Sequence, residues 1–331
     1  MGNKRVFYAC QGLSLDGRPL YGVQNLSIRT DHNTNVVENW GQLAISGVYA
    51  DTPKANISFS RILGSGNAKT HKREGNGIYG PAITGSLTGI CTNHGRKLCV
   101  FFTADTEEGI GNNSVGNVVG FKDVSVNSIS YSINVDGYLT EDVQMIAYHK
   151  MNDSGLCDFS SLDFIDGSSP PSGVKGVPIR RQHIESFSVG EKAPSGAIIT
   201  DLNITIPFNI QTVEEFGTAF SKHSNSYRYA TFPIVSNYSV TALYQNTPEF
   251  DNYLFSESGI ACDTIVGLSQ AENLPKEESL SVSVCSNTMN IDLGHCILQS
   301  VDYGGGDTGG GNATLTYNYN CYNSGLITGN D

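Results

Sequence analysis

Three short stretches carry residue types whose spacing could do chemistry. Cys91-x-x-His94-x4-Cys99 places two thiols and an imidazole at spacings a zinc ion accepts. It lacks a clear fourth ligand, so the simpler reading is ordinary thiols and a surface histidine. Asp105-Thr106-Glu107-Glu108 gathers three carboxylates in a Gly- and Asn-rich loop. Paired carboxylates can hydrolyse glycosides or hold calcium, but neighbours in a loop more often make a solvated turn. The run from Gly304 to Gly311, Gly-rich around Asp307-Thr308, has neither a Gly-Lys-Ser/Thr phosphate loop nor a repeated nonapeptide, and reads as a hairpin tip. The seven histidines are scattered and there is no Gly-x-Ser-x-Gly nucleophile elbow. No catalytic constellation, metal site or cofactor site is expected.

The elements that must position these residues are, by composition, those of a turn-rich β protein. Of 331 residues, 39% are hydrophobic and 16% charged, with 37 Gly and 16 Tyr. The formal net charge is −12. A net-acidic chain without a basic run is a poor nucleic-acid clamp, because phosphate binding rests on Lys and Arg displacing counterions. Met1-Gly2-Asn3-Lys4-Arg5 leads into strand-like residues without an apolar signal core, and Val6 stands where a myristoylation signal wants Ser or Thr. No window is long and apolar enough to anchor in a membrane as a helix. With folding expected in a cytosol, the eight cysteines are expected to be buried thiols.

The chain resembles itself. At an offset of 176, Leu26/Leu202, Ile28/Ile204, Asn33/Asn209, Val37/Val213, Glu38/Glu214 and Gly41/Gly217 are identical, and Trp40 meets Phe216. At offset 180, Tyr49-Ala50 and Pro53 fall on Tyr229-Ala230 and Pro233. At offset 172, Ser128, Tyr131 and Gly137 fall on Ser300, Tyr303 and Gly309, and Val143-x-Met145-x-Ala147 parallels Leu315-x-Tyr317-x-Tyr319. Three blocks in one order imply two copies of one unit. The expected division is residues 1–155, a linker at 156–177 containing Ser168-Ser169-Pro170-Pro171, and residues 178–331. Residues 1–176 hold 14 basic and 16 acidic groups and residues 177–331 hold 6 and 16, so the copies face different surroundings.

Within each copy, Leu26-x-Ile28, Ile57-x-Phe59 and Val143-x-Met145, like Leu202-x-Ile204-x-Ile206 and Leu280-x-Val282-x-Val284, alternate as half-buried strands do. Val36, Val37 and Trp40 suit one or two helical turns, with Asn33 as N-cap and Gly41 as the stop; Asn209–Phe216 and Gly217 repeat the arrangement. The expected fold class is mainly β: two tandem sandwiches or barrels, each with a short flanking helix. Glu38 and Glu214 read as solvent-facing or capping carboxylates, with an inter-subunit contact as the other reading.

Several segments resemble the tail tube proteins of long-tailed bacteriophages. They are Gly22–Ile28 with Asn33–Gln42, Val126–Lys150 with Ser130-Tyr131-Ser132-Ile133-Asn134-Val135-Asp136-Gly137, Pro178–Phe187, and Tyr227–Pro233. Together they cover about a third of the chain. The resemblance implies a virion protein assembled in the bacterial cytoplasm, in which six tube domains close a ring. A duplicated chain then forms a homotrimer that acts as a pseudo-hexamer. Stacked rings would make a conduit through which double-stranded DNA passes without sequence-specific binding. Further partners would be other tail proteins and, in contractile tails, a sheath. Acidic residues facing the lumen would repel phosphate, and Asp105, Glu107, Glu108, Glu141 and Asp142 are the candidates. Gly64–Thr92 and Pro248–Ser279 depart from the family pattern as insertions.

Two other structural readings compete: a neck, tail-terminator or distal-tail ring, and a surface decoration protein binding carbohydrate through Tyr317, Tyr319 and Tyr322. A glycosidase built on Asp105 with Glu107 or Glu108 is the reading furthest from the residues.

Overall fold

The computed structural model describes residues 11–32, 34–41, 43, 45–50, 53–65, 80–102, 117–151, 157, 177–189, 198–213, 227–243, 277–284, 289–305, 313–322 and 324–329. Twelve strands carry the architecture. In the first half they are β1 (Gln11–Leu15), β2 (Val23–Asp31), β3 (Lys54–Ile62), β4 (Arg96–Phe102), β5 (Asn117–Asn134) and β6 (Thr140–Ala147). In the second they are β7 (Ile184–Val189), β8 (Ile198–Pro207), β9 (Val235–Leu243), β10 (Glu278–Val284), β11 (Met289–Gly304) and β12 (Thr314–Tyr322). The protein is mainly β, as its composition implies.

All twelve belong to one 16-stranded antiparallel sheet, whose main path runs β7-β10-β11-β12-β9-β8-β5-β6-β3-β2. The strand β5 is long enough to serve two places. Its first part, Asn117–Val124, pairs β4, which pairs β1, while Ser125 onward pairs β6 and β8. The strand β11 divides its length alike, between β10 and β12. Each half thus has one hydrogen-bonded order, 1-4-5-6-3-2 and 7-10-11-12-9-8.

The registers agree as well as the order. Leu26 faces Phe59, which neighbours Val143, as Leu202 faces Val240, which neighbours Tyr317. A bulge between Val126 and Ser128 has its counterpart between Leu298 and Ser300, and one between Val23 and Asn25 has its counterpart between Ile199 and Asp201. Asp123 and His295, at matched places in β5 and β11, both take the left-handed backbone region, at φ 55° and 50°. Non-glycine residues rarely adopt it. The register corrects one alignment: Val143, Met145 and Ala147 correspond to Tyr317, Tyr319 and Cys321, two residues further along than their spacing suggested. A slip of two keeps every side chain on its face, so alternation alone cannot detect it.

Alternation sets the core. Ile57, Phe59, Ile129, Val143, Met145, Ile204, Ile206, Val240, Tyr317 and Tyr319 all point to one face and are buried in a single cluster that β1, β4 and β10 help to cover. Each such side chain stabilises by about 1.5–3 kcal/mol. Tyr238 and Tyr319 stack with ring centroids 4.5 Å apart.

Where the flanking helices are expected, the described residues form strands. Thr34–Glu38 is a strand paired with Ile45–Ala50, and Ile210–Val213 is a strand paired with Tyr227–Ala230. The β-branched residues Val36, Val37, Ile45 and Val48 favour the extended backbone, and Gly41, at φ 84°, occupies the turn rather than a helix end. The one α-helix among the described residues is Leu87–Thr92, inside the stretch read as an insertion; Ser86 caps it by accepting from the Gly89 N–H.

The thiol expectation fails at four positions. Cys99 bonds Cys157 and Cys296 bonds Cys321, while Cys91 is a buried free thiol. Cys296 and Cys321 are directly opposed on β11 and β12, a proximity created by register and invisible in linear spacing. Cys10, Cys262 and Cys285 lie outside the described residues, as does the expected linker 156–177 except for Cys157 and Val177.

Candidate assembly interface

Among the described residues β7, at one end of the main path, pairs only β10, and two further edges are open. The strand β2 pairs only β3, and β11 from Ile297 to Gly304 pairs only β12. At the matched places inside the chain the same edges meet: β5 pairs β8, with Ser130 opposite Thr205 and Ile129 opposite Ile206. The Ser130 hydroxyl donates to Thr205 Oγ1 at 3.3 Å.

A hairpin reinforces this internal seam. Thr212 and Arg228 face each other across the second hairpin and reach first-half residues. Arg228 donates to the Asp123 carbonyl and, at 2.9 Å, to Ser125 Oγ, and its guanidinium lies 4.8 Å from the Tyr148 ring centre. The Tyr148 hydroxyl shares a hydrogen bond with Thr212. His94 Nδ1 is 3.0 Å from the same Ser125 oxygen, and His149 Nδ1 lies 3.2 Å from Asp123 Oδ2. Burial lowers the pKa of Arg228, opposed by Tyr148 and Asp123; burial and then the Arg228 charge lower that of His94.

Among the described residues the first hairpin has no such cover. Val36, Ile45 and Val48 are about half exposed or more, and Trp40 and Leu43 at its turn are fully exposed. Contiguous exposed apolar side chains on a β-hairpin make it a candidate contact surface. Of the expected signature residues, Val37, Glu38, Trp40 and Gly41 lie on this hairpin and Val213 on the second. Asn209 precedes the second hairpin at φ 47°. Asn33, Glu214, Phe216 and Gly217 lie outside the described residues.

The sheet face opposite the core is polar and thinly charged. Ser58, Ser130, Asn203 and Asn237 are typical of it, and its charges among the described residues include Arg29, Lys54, Asp31, Asp142, Asp201, Asp292 and Asp302. Asp142 is exposed on that face. Asp201 and Asp302, which the sequence reading did not select, share that face along the row Asn134, Asp201, Thr241, Thr316, Asp302. Partial burial raises the Asp201 pKa, opposed by hydrogen bonds from its neighbours.

Glu141 is a correction. It has the parity of Val143 and Met145, so it points into the core and is fully buried. Arg61, equally buried, brings Nε to 2.7 Å from Glu141 Oε2, and the Tyr131 hydroxyl donates to Oε1 at 3.0 Å. The Ala82 N–H completes the shell, and Arg61 also donates to the Gly80 carbonyl. Burial raises the Glu141 pKa, opposed first by Arg61. This carboxylate fixes the core and faces no lumen. Asp105, Glu107 and Glu108 lie outside the described residues.

The zinc spacing does not assemble. Cys99 is spent in a disulfide, Cys91 donates to the Thr88 carbonyl and His94 engages Ser125. Compared with known proteins, the chain matches no family model and no curated sequence.

Proposed function

We propose that this protein is a structural virion component, a tail tube subunit made of two fused tube units, whose three copies close a pseudo-hexameric ring. The observation that supports the reading is the repeated strand order, joined at one internal seam, with the matching edges of β2 and of Ile297–Gly304 in β11 left open among the described residues. A body with complementary open edges associates head to tail, and such an interface closes into a ring when its rotation permits. Closure also removes the sheet edges that would otherwise recruit other chains. The polar face then lines the channel. With few cations on this face there is little counterion release to hold duplex phosphates, and the surplus of carboxylates repels them. The ring needs no catalysis or cofactor; its partners are copies of itself, other tail components and passing DNA.

Negative-stain electron microscopy at rising protein concentration, with the mass of the smallest ring, tests the reading. Rings of three chains that stack into hollow tubes wide enough for duplex DNA support it. Rings of two or six chains reject the pseudo-hexamer. Three-chain rings that never stack move the assignment to a neck, terminator or distal-tail ring.

A further inference from the structure

The internal seam is a template for an external one. Asp302 holds in β11 the place that Ser130 holds in β5, because both follow the matched bulge by the same number of residues. Arg29 holds in β2 the place of Thr205 in β8, because Ile28 faces Ile57 as Ile204 faces Tyr238. Since Ser130 is opposite Thr205, the same pairing between chains sets Asp302 opposite Arg29, Val301 opposite Thr30 and Ser300 opposite Asp31. Two neutral hydroxyls inside the chain become an acid and a base between chains. Both are exposed: Arg29 makes a 2.6 Å contact to Asp31 of its own strand, and Asp302 accepts from Asn318 at 2.8 Å.

The hairpins change in the opposite sense. The pair Val36 and Val48 corresponds to Thr212 and Arg228. The residues that receive the latter, Tyr148 and Ser125, correspond to Tyr322 and Ile297 in the second half. Hydroxyl and guanidinium on a polar patch within the chain become valines facing Tyr322 and Ile297 between chains, and each of those two side chains is partly exposed.

We infer that copies of this chain join through a specific second seam: β2 of one copy pairs with Ile297–Gly304 of another in the β8–β5 register, Arg29 opposite Asp302, while Val36 and Val48 of the first hairpin cover Tyr322 and Ile297. It takes from the ring reading only that copies associate in series, and it names their contact residues. The occupant is a second copy because the charges, the apolar side chains and the two open edges are complementary within this one sequence.

The test uses the full chain. Arg29→Asp and Asp302→Arg alone each weaken association at least tenfold by mass photometry, and together they restore it; failure of the combination to recover overturns the register. Separately, Val48→Cys with Ile297→Cys gives interchain disulfide-linked species on non-reducing gels, absent from either single variant. Cross-linked closed trimers support both readings. Cross-linked ladders without closure keep the seam and reject the ring. Rings that form without cross-link or charge rescue keep the ring and reject the seam. Absence of association and cross-link up to the solubility limit overturns the seam.

Discussion

Arg61 and Glu141 face each other across β3 and β6 as a fully buried ion pair, and the residues opposed at the matched place in the second half are Ala242 and Leu315. The same fold thus accommodates an ionic and an apolar solution at one position. Removing one partner of a buried pair strands a charge and costs about 3–5 kcal/mol, whereas replacing both with apolar groups is often neutral. Arg61→Met is expected to destabilise by that amount in urea unfolding. Adding Glu141→Leu regains more than half of the loss. A double variant no better than the single would mean that the pair holds the core through shape rather than charge.

Much of this fold is legible in the sequence through alternation. Leu202-x-Ile204-x-Ile206 and Ile57-x-Phe59 announce strands because one face is in the core and the other in water. The hairpin at Thr34–Glu38 is not legible that way: its apolar side chains stay exposed on both faces of the single chain, so Val36, Val37 and Trp40 fit a helical turn equally well. Glu141 was readable, since it shares the parity of Val143 and Met145, but acidity suggested a solvent face and parity was the stronger signal. Disulfide partners and open edges arise from register between distant segments, which linear spacing does not encode.

Arg228 links the second hairpin to the first half through Ser125, the Asp123 carbonyl and the Tyr148 ring. A hydrogen bond to a charged group contributes about 1.5–3 kcal/mol. Arg228→Met is expected to lower stability by about 2 kcal/mol and to raise amide exchange in Ile210–Val213 and Tyr227–Ala230, leaving exchange in β9 and β12 unchanged. Unaltered exchange in the hairpin would show that Arg228 does not hold it.

His94, whose pKa is lowered by burial and by Arg228, stays neutral in the folded protein at pH values where the unfolded chain begins to protonate. Its contribution is therefore complete above the unfolded value near 6.5 and is lost as pH falls through the lower folded value. Urea midpoints should fall between pH 7.5 and 5.5, and His94→Gln should flatten that part of the slope. An identical slope in the variant would place the proton uptake elsewhere.

Reduction tests the disulfides. The Cys296–Cys321 bridge closes a segment with a sequence separation of 25, for which chain-entropy models give about 3 kcal/mol. Cys296→Val with Cys321→Ala, side chains that the first half carries at the matched Val124 and Ala147, is expected to lose up to that amount while keeping the native circular dichroism. Native protein under non-reducing conditions should show neither cysteine alkylated; labelling of either would disprove the bridge.

Gly22 turns the chain into β2 at φ 77°, and a Cβ there would collide with the Ile62 carbonyl oxygen. Gly22→Ala should cost about 1–3 kcal/mol or more through backbone strain and displacement of that carbonyl. The displaced strand is the one assigned to the second copy, so association should fall along with the thermal midpoint.

The seam between β5 and β8 joins two parts of a single polypeptide, and that changes what it must accomplish. An encounter between separate molecules surrenders translational and rotational freedom worth about 4–15 kcal/mol, whereas a tethered contact forms at an effective concentration in the millimolar range for a short flexible connection. A tethered seam can afford to desolvate the Arg228 guanidinium, because it never has to find its partner. The seam between free molecules has no such allowance, and the oily valines of the first hairpin are the chemistry suited to a contact that must be won by collision.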